Sequence, residues 1–133
     1  MNQGLWNLAY AIGRVALVAL FIKSGAEKLI DPAGMTGMLS GKAFPQPMLL
    51  TYLAGVAEIG LGVLVAIGWQ TRLAAFGLIA FTIVATLIAH QYWGMTGPAR
   101  RANDINFWKN VAIIGGLLML VATGAGRYSV DRR

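Results

Sequence analysis

An all-α membrane protein, an antiparallel four-transmembrane-helix bundle, is the fold this sequence predicts. Three observations lead there. Of 133 residues, 57% are hydrophobic and only 12% are charged, about half the charged share of a soluble domain. The mean hydropathy is +0.64, and a soluble chain of this size cannot bury so much apolar surface in one core. Four apolar segments, at about residues 5–30, 48–69, 73–93 and 105–123, each approach or exceed the roughly 20 residues that a spanning helix needs. With their three connections they use almost the whole chain, so residues 1–133 read as a single transmembrane domain.

Span 1 carries Arg14, Lys23, Glu27 and Lys28. At ~100° per residue, Arg14, Ser24, Glu27 and Lys28 share an arc of about 140°, a stripe that can face the bundle. Lys23 lies roughly 40° beyond that arc and can snorkel to the interface instead. The N-terminus lacks a basic n-region and the first span is too long for a signal segment, so an uncleaved helix is expected. In loop 1, residues 31–47, Asp31-Pro32 fits an N-cap followed by proline at the first helical position. A short interfacial helix is expected there, with Met35, Met38 and Leu39 on its apolar edge and a break near Gly41.

Span 2 holds Tyr52 and Glu58, and Gly55, Gly60 and Gly62 permit close helix approach. The tight link at Gln70-Thr71 makes spans 2 and 3 antiparallel neighbours. Span 3 is apolar except for Thr82 and Thr86, until His90-Gln91 near its end. In loop 3, residues 94–104, Asn103 or Asp104 can cap span 4, which opens with Lys109-Asn110. Trp6, Tyr10, Trp69 and Tyr128 fall at one membrane face and Tyr52, Tyr92, Trp93 and Trp108 at the other, as interfacial belts require.

The net charge of +6 comes mostly from span ends and loops, so lipid headgroups and not nucleic acid are the expected partner. Orientation is close to a tie: Arg72, Arg127, Arg132 and Arg133 lie on the side of the termini, against Lys28, Lys42, Arg100, Arg101 and Lys109 on the other. With no cysteine, thiol–disulfide chemistry and cysteine-ligated metals are excluded. One histidine and scattered carboxylates make a poor metal site, so no metal is expected. No nucleophile–base pair, dinucleotide motif or P-loop is present.

Ionisable groups inside a span are costly and usually face a bundle interior or a polar cavity. Centring each span on the bilayer puts Glu58 near the midplane with Arg14 a few ångströms away, and an unpaired charge at that depth costs on the order of 3 kcal/mol or more, so the two are expected to pair. Lys23, Glu27, His90, Lys109 and Asn110 fall in the half nearer loops 1 and 3. A cavity open toward those loops, with Glu58 and Tyr52 as floor and wall, would account for all of them. Each also has a structural reading. Glu58–Arg14 serves equally as an ion pair that fixes the fold, and the lysines, Glu27 and His90 serve equally as interfacial residues.

The motifs resemble the DoxX family of small four-helix membrane proteins. Span 1 reads Arg14…Phe21-Ile22-Lys23-Ser24-Gly25-Ala26-Glu27-Lys28-Leu29; span 2 reads Ala54-Gly55-Val56-Ala57-Glu58…Gly62…Gly68-Trp69-Gln70-Thr71-Arg72; the end reads Lys109-Asn110…Gly115-Gly116…Gly124-Ala125-Gly126-Arg127-Tyr128-Ser129-Val130-Asp131. The likeness covers nearly the whole chain and matches at Arg14, Gly25, Lys28, Glu58, Arg72, Lys109 and Asn110. It implies a plasma-membrane bundle with both termini cytoplasmic, which breaks the charge tie and puts the polar layer in the outer half. Members include a membrane subunit associated with thiosulfate:quinone oxidoreduction and proteins linked to tolerance of oxidative stress, quinones or catechols. No cofactor signature comes with the resemblance.

The leading expectation is a quinone-linked or oxidative-stress membrane protein. A quinone or phenol would enter from the bilayer, Arg14, Lys23, Glu27, Lys28, Tyr52, Lys109 and Asn110 would bind it, and Glu58 and His90 would relay protons. A quinone held this way needs a soluble redox partner or a bound cofactor to pass electrons onward. Two alternatives stand beside it. One is a non-catalytic anchor or assembly subunit for a soluble oxidoreductase, docking through loop 1 and the tail. The other is a small-solute carrier, which with four helices would require a homo-oligomer.

Overall fold

A computed structural model describes residues 2–132, all-helical apart from turns; Arg133, counted above on the side of the termini, lies outside them. The helices are α1 (Gln3–Ile30), α2 (Ala33–Gly41), α3 (Pro47–Ile67), α4 (Thr71–Ala89) and α5 (Gly97–Thr123), with a 3-10 turn at Tyr92–Gly94. Four of them, α1, α3, α4 with its 3-10 extension, and α5, are long and apolar enough to cross a membrane. They alternate in direction, so α1 begins and α5 ends at the same face, here called the terminal face.

Several boundaries differ from expectation for local reasons. At the start of α1 the Asn2 side chain accepts the Gly4 N–H at 2.8 Å, a true N-cap. Asp31 caps nothing at α2. Its own N–H still closes the last turn of α1 on the Glu27 carbonyl at 2.8 Å, which pushes the N-cap position on to Pro32. α2 does end at Gly41, with Leu39 buried. α5 starts eight residues before the expected boundary because Gly97-Pro98 supplies a proline in the first turn. Asn103 and Asp104, expected as caps, lie inside the helix. The α3–α4 link is a Schellman turn: Gly68 at φ 75° donates to Val65, and Trp69 donates to Leu64 at 2.9 Å.

The bundle is built from two tight pairs, α1 with α3 and α4 with α5. α1 and α3 cross backbone to backbone. A Cβ on Gly25 would stand 2.6 Å from the Gly55 carbonyl oxygen, and one on Gly62 would stand 2.9 Å from Ile22. α4 and α5 are tied by hydrogen bonds described below. α3 joins α4 through the short link and through Leu61 packed on Gly77. Of these four junctions that of α1 and α5 is the slightest, with contacts at Leu17 against Gly116 and at Tyr10 against Thr123.

The core formed by Val18, Phe21, Val65, Ala74, Ala75, Leu78, Leu117 and Leu120 lies in the terminal half of the bundle, with a second cavity of about 490 Å³ at its outer end beside Thr71, Arg72, Ala125 and Asp131. Residues 124–132 fold back beneath it. Val130 and Asp131 donate to the carbonyls of Ile67 and Gly68 at 3.0 and 2.9 Å, and the Asp131 carboxylate accepts the Thr71 N–H at the start of α4 at 3.4 Å. The Gly68 and Ser129 segments of the sequence thus meet. A Cβ on Gly68 would fall 2.2 Å from that of Ser129, so the link admits no side chain there.

Candidate functional site

The half of the bundle toward loops 1 and 3 is hollow. A cavity of about 440 Å³ lies among α1, α4 and α5, with α2 across its end and Glu58 of α3 behind it. Its walls are apolar, from Leu20 and Phe21 of α1, Met35 and Met38 of α2, Phe81 and Ile88 of α4, and Ile113 of α5. Polar groups converge on its α1–α3 side. Lys28 Nζ donates to Glu58 Oε1 at 2.5 Å and to Ser24 Oγ at 2.8 Å. The two charged side chains are only 17% and 4% exposed. This pairing depends on the Gly25–Gly55 crossing one turn away, which brings the α1 and α3 backbones close enough for Lys28 to reach down to Glu58.

On the opposite wall, Asn110 Nδ2 donates to Thr86 Oγ1 at 2.8 Å, and that hydroxyl donates to the Thr82 carbonyl at 2.6 Å. His90 Nδ1 lies 2.6 Å from Asn103 Oδ1. The Asn103 amide nitrogen is committed to the Ala99 carbonyl at 2.9 Å, so its oxygen must accept from Nδ1–H. A neutral His90 therefore presents Nε2 as an acceptor. Glu27 and Lys109 stand at the rim; Glu27 is held by Lys23 at 2.5 Å, and Lys109 approaches Asn106 at 3.4 Å.

Glu27, Lys28, Glu58, His90, Lys109 and Asn110, six of the nine residues singled out in the sequence, line this one cavity. The other three do not. Tyr52 is 38% exposed on the outer face of α3. Thr51 and Gly55 take the inward positions there, which turns residue 52 outward. Lys23 is exposed on α1 and engages only Glu27. Arg14 does not meet Glu58. It donates to the carbonyls of Ala66, Ala125 and Tyr128 at 3.0, 2.5 and 2.9 Å. The Gly25–Gly55 contact sets α1 against α3 so that Glu58 is level with Gly25, about 16 Å along α1 from Arg14. Centring the two spans on a common midplane conceals that offset. Arg14 thereby serves carbonyls at and beyond the C-terminal ends of α3 and α5, where the helix dipole favours a cation.

Thr86 and Asn103, which orient Asn110 and His90, carry roles that the sequence reading assigned to neither. The available signal was the fourfold spacing of Thr82, Thr86 and His90, which puts all three on one face of α4. Chemically, the site offers a carboxylate acceptor beside an ammonium donor in the wall of an apolar slot. It can grip a molecule through an oxygen that both donates and accepts, and hold its ring among Phe and Met side chains.

Comparison with known proteins places this arrangement in context. The profile of the family described as DoxX matches residues 9–91. The chain is 41% identical to the inner membrane protein YphA of Escherichia coli, over 92% of this chain and 87% of that protein. It is 30% identical to the inner membrane protein YqjF of the same organism, over 96% and 93%. A Surfeit locus protein 4 homolog from Schizosaccharomyces pombe is 28% identical over 91% of this chain but 36% of its own length. No solved structure matches.

Proposed function

The chain belongs to the DoxX family and is a multi-pass membrane protein, and from that premise we propose that it binds a small quinone or phenol as the membrane component of a redox or oxidative-stress system. The observation that carries this reading is the cavity with the Lys28–Glu58 pair in its wall. Its volume falls within the roughly 300–1,000 Å³ usual for small-molecule sites, and its make-up is the usual one of apolar walls with few convergent polar groups. A phenolic hydroxyl would donate to Glu58 while its oxygen accepts from Lys28; a quinone carbonyl would accept from Lys28 alone. His90 and Asn110 suit the second oxygen across the ring, and His90 suits proton exchange with the rim. Electrons would come from a soluble partner, because the site residues themselves carry none. The protein sits in the plasma membrane as one domain, with both termini cytoplasmic and the cavity in the outer half.

The buried core between the two cavities weighs against a carrier, which must open to both faces. The tail is engaged with α1, α3 and α4, which weighs against its use as a docking arm for an anchored enzyme. The test is calorimetric titration of tailless benzoquinone and the matching hydroquinone into the protein in lipid nanodiscs. Glu58→Gln should weaken the hydroquinone more than the quinone, by about tenfold, the value of one charged hydrogen bond near 1.4 kcal/mol. Lys28→Met should weaken both. Equal affinities in all three proteins would leave the cavity without this role.

A further inference from the structure

α1 and α5 are clasped at the terminal face and part toward the other. At the clasp the Tyr10 hydroxyl bonds Thr123 and donates to the Gly124 carbonyl at 2.6 Å. Two turns on, Leu17 packs on Gly116, where an added Cβ would stand 3.1 Å from the leucine methyl. Beyond that level no hydrogen bond joins α1 to α5 among the described residues. Leu20, Ser24 and Glu27 of α1 and Ile113, Asn110 and Lys109 of α5 instead line opposite sides of the cavity.

The neighbouring junctions do not part in this way. α1 and α3 are closed at this depth by Gly25 on Gly55 and by Lys28–Glu58. α4 and α5 are closed by Asn110–Thr86 and His90–Asn103. The gap between α1 and α5 runs from Leu17 to Glu27, about 15 Å along the helix, or roughly half the hydrocarbon core. Its lower lip is apolar, with Leu20 39% exposed. Its upper end is marked by the charged pair Lys23–Glu27 and by Lys109. Access from water is a different matter: α2 lies across that end, with Met35 and Met38 turned to the cavity and Thr36 bonded to Thr51 of α3 at 3.0 Å.

We propose that the gap between α1 and α5 is a lateral doorway between the cavity and one leaflet, and that the ligand is a membrane-resident one. Its polar ring reaches Lys28–Glu58 while its alkyl or isoprenoid tail leaves between Leu20 and Ile113. The inference rests on the binding reading above and adds the route and the tail. A cavity of about 440 Å³ accommodates a substituted ring; a long tail must go elsewhere, and Leu20 and Ile113 lie at the depth of the acyl chains on spanning helices. Among the described residues the one hydrogen bond between α1 and α5 is Tyr10–Thr123 at the clasp, so the lips carry none that passage would break.

The experiment compares two benzoquinones with the same head, one bearing a decyl tail and one bearing none, bound to the protein in lipid nanodiscs. Leu20→Trp with Ile113→Trp should weaken the tailed compound at least tenfold more than the tailless one. Equal binding of the tailed compound by the double variant and the parent would overturn the doorway, and so would equal loss of both compounds. As a measurement that tolerates poor folding of the double variant, nitroxides can be placed singly at Leu20→Cys or Ile113→Cys, since the chain has no cysteine of its own. Both should be immobilised by the tailed compound and not by the tailless one. Labels that do not respond, or that are already immobilised by bilayer lipid alone, would overturn it. If neither compound binds the parent protein, the binding reading itself fails, an outcome distinct from all of these.

Discussion

Glu58→Gln leaves the Lys28 ammonium facing a neutral amide in a wall from which water is largely excluded. Breaking a buried pair by removing one partner typically costs about 3–5 kcal/mol, and with Lys28 17% exposed the lower end applies. Lys28→Met should cost a similar amount, and the double variant should recover about 1–3 kcal/mol of the summed loss, as directly contacting residues do. Thermal unfolding in detergent measures the cycle. Arg14→Gln combined with Glu58→Gln should show no such recovery, because Arg14 is bound to carbonyls some 16 Å away along α1. Which residues are polar was legible in the sequence, and so was their approximate half of the bundle. Which cation meets Glu58 was not. Apolar length locates each span in the bilayer only to within a few turns, whereas one glycine contact sets the stagger between two helices to within a residue.

Gly25 and Gly60 look alike in sequence, but they sit in opposite surroundings. Gly25 meets the Gly55 carbonyl and Ile59, while nothing lies within 4 Å of a Cβ on Gly60. Gly25→Ala should therefore push α1 from α3, separate Lys28 from Glu58 and cost about 1–3 kcal/mol, as overpacking does. Gly60→Ala should be neutral or slightly stabilising, since alanine is the better helix former. Chemical denaturation of each variant in mild detergent reads the difference; equal effects would refute the close crossing. The four long helices were legible from apolar length, and α2 from the proline and methionine pattern of loop 1. The helical start at residue 97 was masked by the charge of Arg100, Arg101 and Asp104, which marks the end of the membrane and not the end of the helix. The turns of α5 beyond it are held by aromatic packing, Tyr92 on Phe107 and Phe107 on Trp108, with Arg100 over the Tyr92 ring.

For the molecule as a whole, four alternating spans require Thr96 and the C-terminus to lie on opposite faces. Alkaline phosphatase inserted after Thr96 should be active and the same enzyme fused at the C-terminus inactive, with green fluorescent protein giving the reverse. Equal signals from the two sites would sink the topology, and the reversed pattern would place the termini outside. The fold class was legible because bilayer crossing imposes a length and a hydropathy that nothing else in 133 residues would need. The hollow half was legible only as a concentration of polar residues, since cavities are made by the stagger and splay of helices and leave no periodic trace. The tail is where order of synthesis enters. Arg14 is made in the first helix, yet the Ala125 carbonyl that it holds is 111 residues downstream. At about 5–20 residues per second, its side chain waits on the order of 10 s for that partner. Once α3 is made the Ala66 carbonyl can serve one of its nitrogens; the rest of the guanidinium must through that interval be kept hydrated or bound by something outside the finished fold, such as lipid phosphate, the insertion machinery or water drawn in beside α1. The bundle therefore acquires its terminal-face seal last, and a ribosome stalled before the final turn of α5 leaves Arg14 with one of its three carbonyl partners and the terminal face open.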